Sequence, residues 1–132
     1  MIAGIAHICF TVGDLNASIA FYEKLGFRTA FDFTRDNGER FGVMMHVRGR
    51  NLFEMFKGEL APPAAKQRYR HFSLEVRDIQ GTVNHLRSLE LDVTDIQKGS
   101  DRSWQAWVND PDGNRIELQE YTPESKQTPW VT

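Results

Sequence analysis

The chain has 132 residues, 40% of them hydrophobic and 26% charged, with a formal net charge of −2. That is the size of one ordinary domain or two very small ones, and its interspersed charges supply no basic face for nucleic acid or an anionic membrane. The single cysteine, Cys9, excludes an internal disulfide and an all-thiolate metal site. No basic region followed by a long apolar one opens the chain, and no apolar run approaches the ~20 residues that cross a bilayer. A soluble cytoplasmic protein is expected.

In chain order, Ile5–Val12 alternates apolar Ile8, Phe10 and Val12 with His7, Cys9 and Thr11, which predicts a strand with one apolar and one mixed face. Asp14 is a suitable helix N-cap. Leu15, Ile19, Tyr22 and Leu25 follow at helical spacing, and Gly26 is a C-terminal stop. A strand is expected at about 27–33, a turn at Asp36-Asn-Gly38, a second strand at Arg40–Val47, and a third at Leu52–Phe56. Residues 57–69, with Pro62-Pro63, cannot continue a strand interior and form the connection between halves.

The programme then restarts. His71–Val76 alternates like the first strand, Asp78 is the cap, and Ile79, Val83, Leu86 and Leu89 repeat the same steps. Strands are expected at Val93–Ile96, Trp104–Asn109 and Arg115–Tyr121, with Asp110-Pro-Asp-Gly-Asn114 as a tight turn. The tail Thr122–Thr132 shows no period and is expected to drape over a surface or move. The fold class is therefore α+β: two tandem βαβββ modules, about 4–56 and 70–121, joined by a linker at about 57–69. Each helix covers one face of its sheet and leaves the other concave and mixed.

The repeat carries chemistry. Glu54 and Glu117 sit in apolar strands 63 residues apart, and His7 and His71 are separated by 64. A carboxylate is almost never buried unless it is paired or bound to something. Taken singly, a strand histidine is usually a core or rim residue, while Glu54 has Arg40 or Arg50 as candidate partners and Glu117 has Arg115 or Arg28. The matched positions argue for more. Two imidazoles and two carboxylates form an N/O ligand set suited to a divalent Ni, Co, Zn, Mn or Fe ion. His46 and His85 have no counterpart in the other half. Trp104 and Trp107 are three apart on one strand and face opposite sides, so either one lines the cavity while the other packs, or both pack.

These residues resemble a known family. His7 with Val12-Gly-Asp-Leu15, Phe21-Tyr-Glu-Lys-Leu-Gly-Phe27, Glu54, His71 with Val76-Arg-Asp78, and Asp110-Pro-Asp-Gly-Asn-Arg-Ile-Glu117 are similar to the vicinal oxygen chelate superfamily. That superfamily includes glyoxalase I, bleomycin-resistance proteins, extradiol dioxygenases and fosfomycin-resistance enzymes. The resemblance implies paired βαβββ modules forming a curled mixed-sheet cup around one divalent ion held by His7, Glu54, His71 and Glu117. The His/Glu/His/Glu order resembles bacterial-type glyoxalase I, since the dioxygenase and fosfomycin types lack the first-half glutamate.

The implied reaction is proton transfer through a metal-bound enediolate, with Glu117 as principal base and Glu54 in the mirrored role. The implied state is a homodimer acting on a small molecule, a hydroxycarbonyl or hemithioacetal with adjacent oxygens. The positions at which glyoxalase I carries its glutathione-holding arginine and asparagine are Thr11 and Gly58 here. Arg68 or Arg70 can replace part of that charge. Thr11, Arg40, Arg70 and Trp104 are read as substrate-contacting residues. The alternatives implied are a non-catalytic binding protein of the bleomycin-resistance type and, ranked lower, an iron dioxygenase.

Overall fold

A computed structural model describes residue 1, residues 3–62 and residues 69–131. The chain forms two compact units, Met1–Ala65 and Lys66–Thr132. The division falls in the expected linker, of which residues 63–68, Arg68 included, lie outside the described residues. The class is α+β with a four-stranded mixed sheet in each unit.

The first unit runs β1 (His7–Val12), α1 (Leu15–Lys24), β2 (Arg28–Thr34), β3 (Arg40–Arg48) and β4 (Asn51–Lys57), with spatial order β1-β4-β3-β2. The last strand returns beside the first in parallel, and the other pairings are antiparallel. Asp14 caps α1 as expected, its Oδ1 accepting from the Ala17 N–H at 3.0 Å; such a cap contributes about 1 kcal/mol. The helix stops in a Schellman motif: the Phe27 N–H donates to the Tyr22 carbonyl and the Gly26 N–H to that of Glu23. Gly26 holds the left-handed turn at φ +91°. The apolar stripe of α1 packs on the sheet face formed by Val12, Val43, Met45, Phe53 and Met55, all buried. Tyr22 and Phe53 rings meet there at 4.6 Å.

The second unit repeats this plan with β5 (Phe72–Glu75), α2 (Ile79–Ser88), β6 (Gln97–Lys98), β7 (Trp104–Asn109) and β8 (Arg115–Glu120), in the order β5-β8-β7-β6. Again the first and last strands pair in parallel. Asp78 caps α2 by accepting from the Gly81 N–H at 2.9 Å, and Glu120 Oε2 accepts from the Ile79 N–H at 2.6 Å. Ile79, Val83 and Leu86 bury against the face carrying Ala106, Val108, Ile116 and Leu118. The Schellman motif recurs, with Leu91 N–H donating to Leu86 and Glu90 N–H to Arg87. The left-handed position is now a glutamate, Glu90, at φ +64°.

One expectation needs correction. The strand expected at Val93–Ile96 is only a bridge from Val93 to Val108. The Val93 carbonyl is occupied by the Arg87 guanidinium, at 2.8 and 3.2 Å, so the ladder begins only at Gln97. Of the two alternatives for the tail, the structure has the draped one, anchored by hydrogen bonds. Ser125 is buried, and its hydroxyl hydrogen-bonds that of Ser103 at 2.9 Å. Gln127 reaches Asp101 and Gln119, and a short helix α3 (Thr128–Val131) follows.

Candidate functional site

In the first unit, strand alternation decides what the uncovered face presents. Cys9 lies opposite Glu54, and Glu54 opposite Met44, so these three share a face with His7 and Thr11. His7 Nε2 stands 3.8 Å from Glu54 Oε1. The glutamate side chain is only 14% exposed and the imidazole 42%, so the carboxylate sits at the floor and the ring at the rim. Cys9 is on the surface as a residue. Desolvation of its sulfur, together with the hydrogen bond and negative charge of Glu54, pushes its thiol up to about 11. It is a protonated neighbour, not a nucleophile.

The second unit builds the same arrangement. Ser73 and Trp107 flank Glu117 across the ladder, on the face that His71 joins two residues before Ser73. His71 Nε2 is 3.4 Å from Glu117 Oε2, with the glutamate side chain 11% exposed. The Trp107 ring meets the His71 ring edge-on at 4.8 Å and 89°. On the same indole lies Arg115, its Cζ 3.9 Å from the ring centroid. Before the strand, Asp110 organises the turn: its carboxylate accepts from the Asp112 and Asn114 N–H groups at 3.0 and 2.8 Å and from the Asn114 amide at 2.9 Å.

The four expected ligands are thus brought together two by two, each histidine with the glutamate of its own unit. Among the described residues, no group of three or more His, Cys, Asp or Glu side chains is arranged to hold a metal ion. The two pairs compare differently with the spacing of two ligands on one ion. Donors ~2.1 Å from a metal and 90–110° apart stand about 3.0–3.5 Å from each other. The second pair falls in that range at 3.4 Å, and the first, at 3.8 Å, lies slightly outside it.

The expected substrate-contacting residues divide. Thr11 is exposed on the Glu54 face, and its Cγ2 lies 2.9 Å from where a side chain on Gly58 would begin. The two positions that depart from the glyoxalase pattern are therefore neighbours. Arg70 is exposed beside His71. Arg40 is not brought to the pair. The β2–β3 register shifts between Phe33 and Thr34, and Arg40 engages Asp32 at 3.5 Å and the Asn16 side chain of α1. Trp104 is not brought there either: it lies opposite Glu120, on the helix-covered side of β7, with Lys98 over its ring at 5.4 Å.

Of the arginines weighed as partners, Arg40 takes Asp32 and Arg115 takes Trp107, so neither neutralises the glutamate of its own unit. His46 shares the Glu54 face, but its Nε2 is within 3.0 Å of the Gly49 carbonyl. His85 is exposed on α2. Reading by pattern weighed Trp107 as a possible cavity residue and Arg115 as a partner of Glu117, but named neither among the substrate-contacting residues. The signal was present, since β8 alternation puts Arg115 and Glu117 on one face, but choosing between the two tryptophans required the β7–β8 register.

A family model described as Glyoxalase/Bleomycin resistance protein/Dioxygenase superfamily matches residues 4–118. Among solved structures, the chain is similar to a glyoxalase family protein from Enterococcus faecalis, at 22% identity over 89% of this chain and 98% of that one, with a TM-score of 0.76. It is similar also to lactoylglutathione lyase from Agrobacterium tumefaciens, at 21% identity over 90% and 94% of the two chains, with a TM-score of 0.68. A third is a point mutant of the fosfomycin resistance protein FosX from Listeria monocytogenes, complexed with Mn(II) and a dihydroxypropylphosphonic acid. It is 18% identical over 94% and 97% of the chains, with a TM-score of 0.72. At these identities the likeness is one of fold.

Proposed function

Because the chain belongs to the Glyoxalase/Bleomycin resistance protein/Dioxygenase superfamily, we propose that it is a metal-dependent lyase or isomerase of glyoxalase type, acting on a small substrate with adjacent oxygens. The observation that carries this reading is one pair made twice: a histidine Nε2 and a shielded glutamate oxygen at 3.8 Å and at 3.4 Å, on the uncovered face of each sheet. His7, Glu54, His71 and Glu117 are assigned together as the ligands of one divalent ion. The donor set of two imidazoles and two carboxylates suits Ni, Co, Zn, Mn or Fe, and the structurally similar FosX mutant is complexed with Mn(II).

Such an ion supplies Lewis-acid polarisation of a substrate carbonyl. The protein's own part is proton movement. A carboxylate oxygen of Glu117 accepts the proton from the carbon next to the carbonyl and delivers it to the neighbouring carbon. Low exposure suits Glu117 to this task, because few waters compete for its oxygens. Glu54 takes the mirrored role. The substrate is a hydroxycarbonyl or hemithioacetal, held without the usual glutathione clamp. Gly58 offers no side chain, and the Thr11 methyl crowds the space where one would start.

The test is metal analysis of the purified protein, followed by turnover assays on methylglyoxal and small hydroxycarbonyl compounds with and without glutathione. About one divalent ion per chain is expected, with loss of metal and of turnover in both Glu54→Gln and Glu117→Gln. Metal-free protein whose turnover survives both substitutions refutes the assignment.

A further inference from the structure

We propose that Arg115, held flat on Trp107, binds an oxyanion of the substrate, a carboxylate or a phosphoryl group. This deepens the preceding reading by naming the substrate as an acid, and it rests on that reading for the identity of the reacting carbon.

Three observations carry it. The first is position. Arg115 precedes Glu117 by two residues on β8, so both side chains project from one face with Cα atoms about 6.6–7 Å apart. Trp107 lies directly across from Glu117 in the ladder, so the same face presents indole, guanidinium and carboxylate together.

The second is restraint. The guanidinium carbon is 3.9 Å from the Trp107 centroid, well within the ~6 Å range of a cation–π contact. That contact covers one π-face and leaves the N–H edge, where a carboxylate or phosphate binds in a fork. The indole that orients Arg115 is the one that meets His71 edge-on at 4.8 Å. Cation and histidine are therefore fixed relative to each other through one ring.

The third is charge. Arg87 and Lys98, two other cations of this unit, are tied to Asp95 and Glu124 at 3.0 and 3.2 Å. Arg115 makes no ion pair among the described residues, and the nearby Glu117 is engaged by His71 instead. A cation is kept beside the base without neutralising it. A substrate whose acid group reaches Arg115 is neutralised at that end, while its reacting carbon lies within reach of Glu117.

The experiment uses the metal-free full chain at constant ionic strength, titrated separately with inorganic phosphate and with acetate while tryptophan emission is followed. Arg115 lies on the reporting ring, so an anion that engages it changes the emission. The expected result is a saturable change with at least one of the two anions. Its midpoint moves at least about tenfold higher in Arg115→Met, and the change is lost in Trp107→Phe. The better of the two anions names the group. No response to either anion, or a response of equal midpoint in Arg115→Met, overturns the proposal. Metal content of the protein as purified, measured before the metal is removed for the titration, reads the earlier assignment separately. A chain that binds no metal yet keeps the Arg115-dependent anion response refutes the metal site and leaves this inference standing.

Discussion

The helix stops of the two units differ at one residue, and that difference is measurable. Gly26 and Glu90 hold the same Schellman position at φ +91° and +64°. A residue with a Cβ gives up roughly 1–2 kcal/mol in the left-handed region, which glycine does not. Glycine returns part of this as unfolded-chain entropy, about 0.5–1 kcal/mol. Glu90 is exposed and makes no ion pair among the described residues, so Glu90→Gly removes no described ion pair. The expected gain is therefore about 0.5–1 kcal/mol. At ~2.1 cal/mol/K of unfolding entropy per residue, that raises Tm by about 2–4 °C if the whole chain melts together, and by about twice as much if the second unit melts alone. The reciprocal change isolates the backbone effect, because a Cβ on Gly26 meets nothing within 4 Å. Gly26→Glu is expected to lower stability by a similar amount. Calorimetry and urea titration of both variants check the pair. If Glu90→Gly is neutral or destabilising while Gly26→Glu is harmful, the conformational account is wrong for the second unit.

The Asp110 turn offers a second prediction. Three hydrogen bonds converge on that carboxylate, so Asp110→Ala is expected to cost about 2–3 kcal/mol, read as a lower urea midpoint; a loss under about 0.5 kcal/mol would remove the turn from the account of how β8 is positioned. Cys9 gives a third. With its thiol raised from 9.0 to about 11, the thiolate at pH 8 is about a hundredfold scarcer than in an ordinary cysteine. Alkylation of the metal-free chain is expected to be slow to match, and faster in Glu54→Gln. A raised pKa means that the folded chain holds the proton more tightly. This contribution to stability is whole below about pH 9 and fades as pH rises through about 11. Alkylation at the rate of an unfolded control, or unchanged by Glu54→Gln, contradicts the role given to the glutamate.

Much of the fold was legible because each signal was local. Asp14 and Asp78 cap where they stand, and alternation from His7 and from His71 marks each unit's first strand. The repeat joined each histidine to its glutamate. What stayed hidden depended on partners distant in sequence. Arg40 turns to the helix side because β3 slips against β2, and no pattern in β3 alone announces a slip. Trp104 and Trp107 are equivalent to any count of spacing, and only pairing with β8 separates the one beside Glu117 from the one beside Glu120. The tail lacks a period because polar hydrogen bonds from Ser103, Asp101 and Gln119 hold it rather than an apolar stripe.

The parallel return of β4 beside β1, and of β8 beside β5, has a temporal consequence. In each unit the histidine belongs to the opening of the module and the glutamate to its close, 47 residues apart in the first and 46 in the second. Neither pair exists until the whole module is made and its longest-range ladder has zipped, the contacts that loop closure delays most. A nascent or truncated module exposes a lone imidazole with little hold on an ion. The geometry proposed to hold an ion is thus assembled last, when the module is complete.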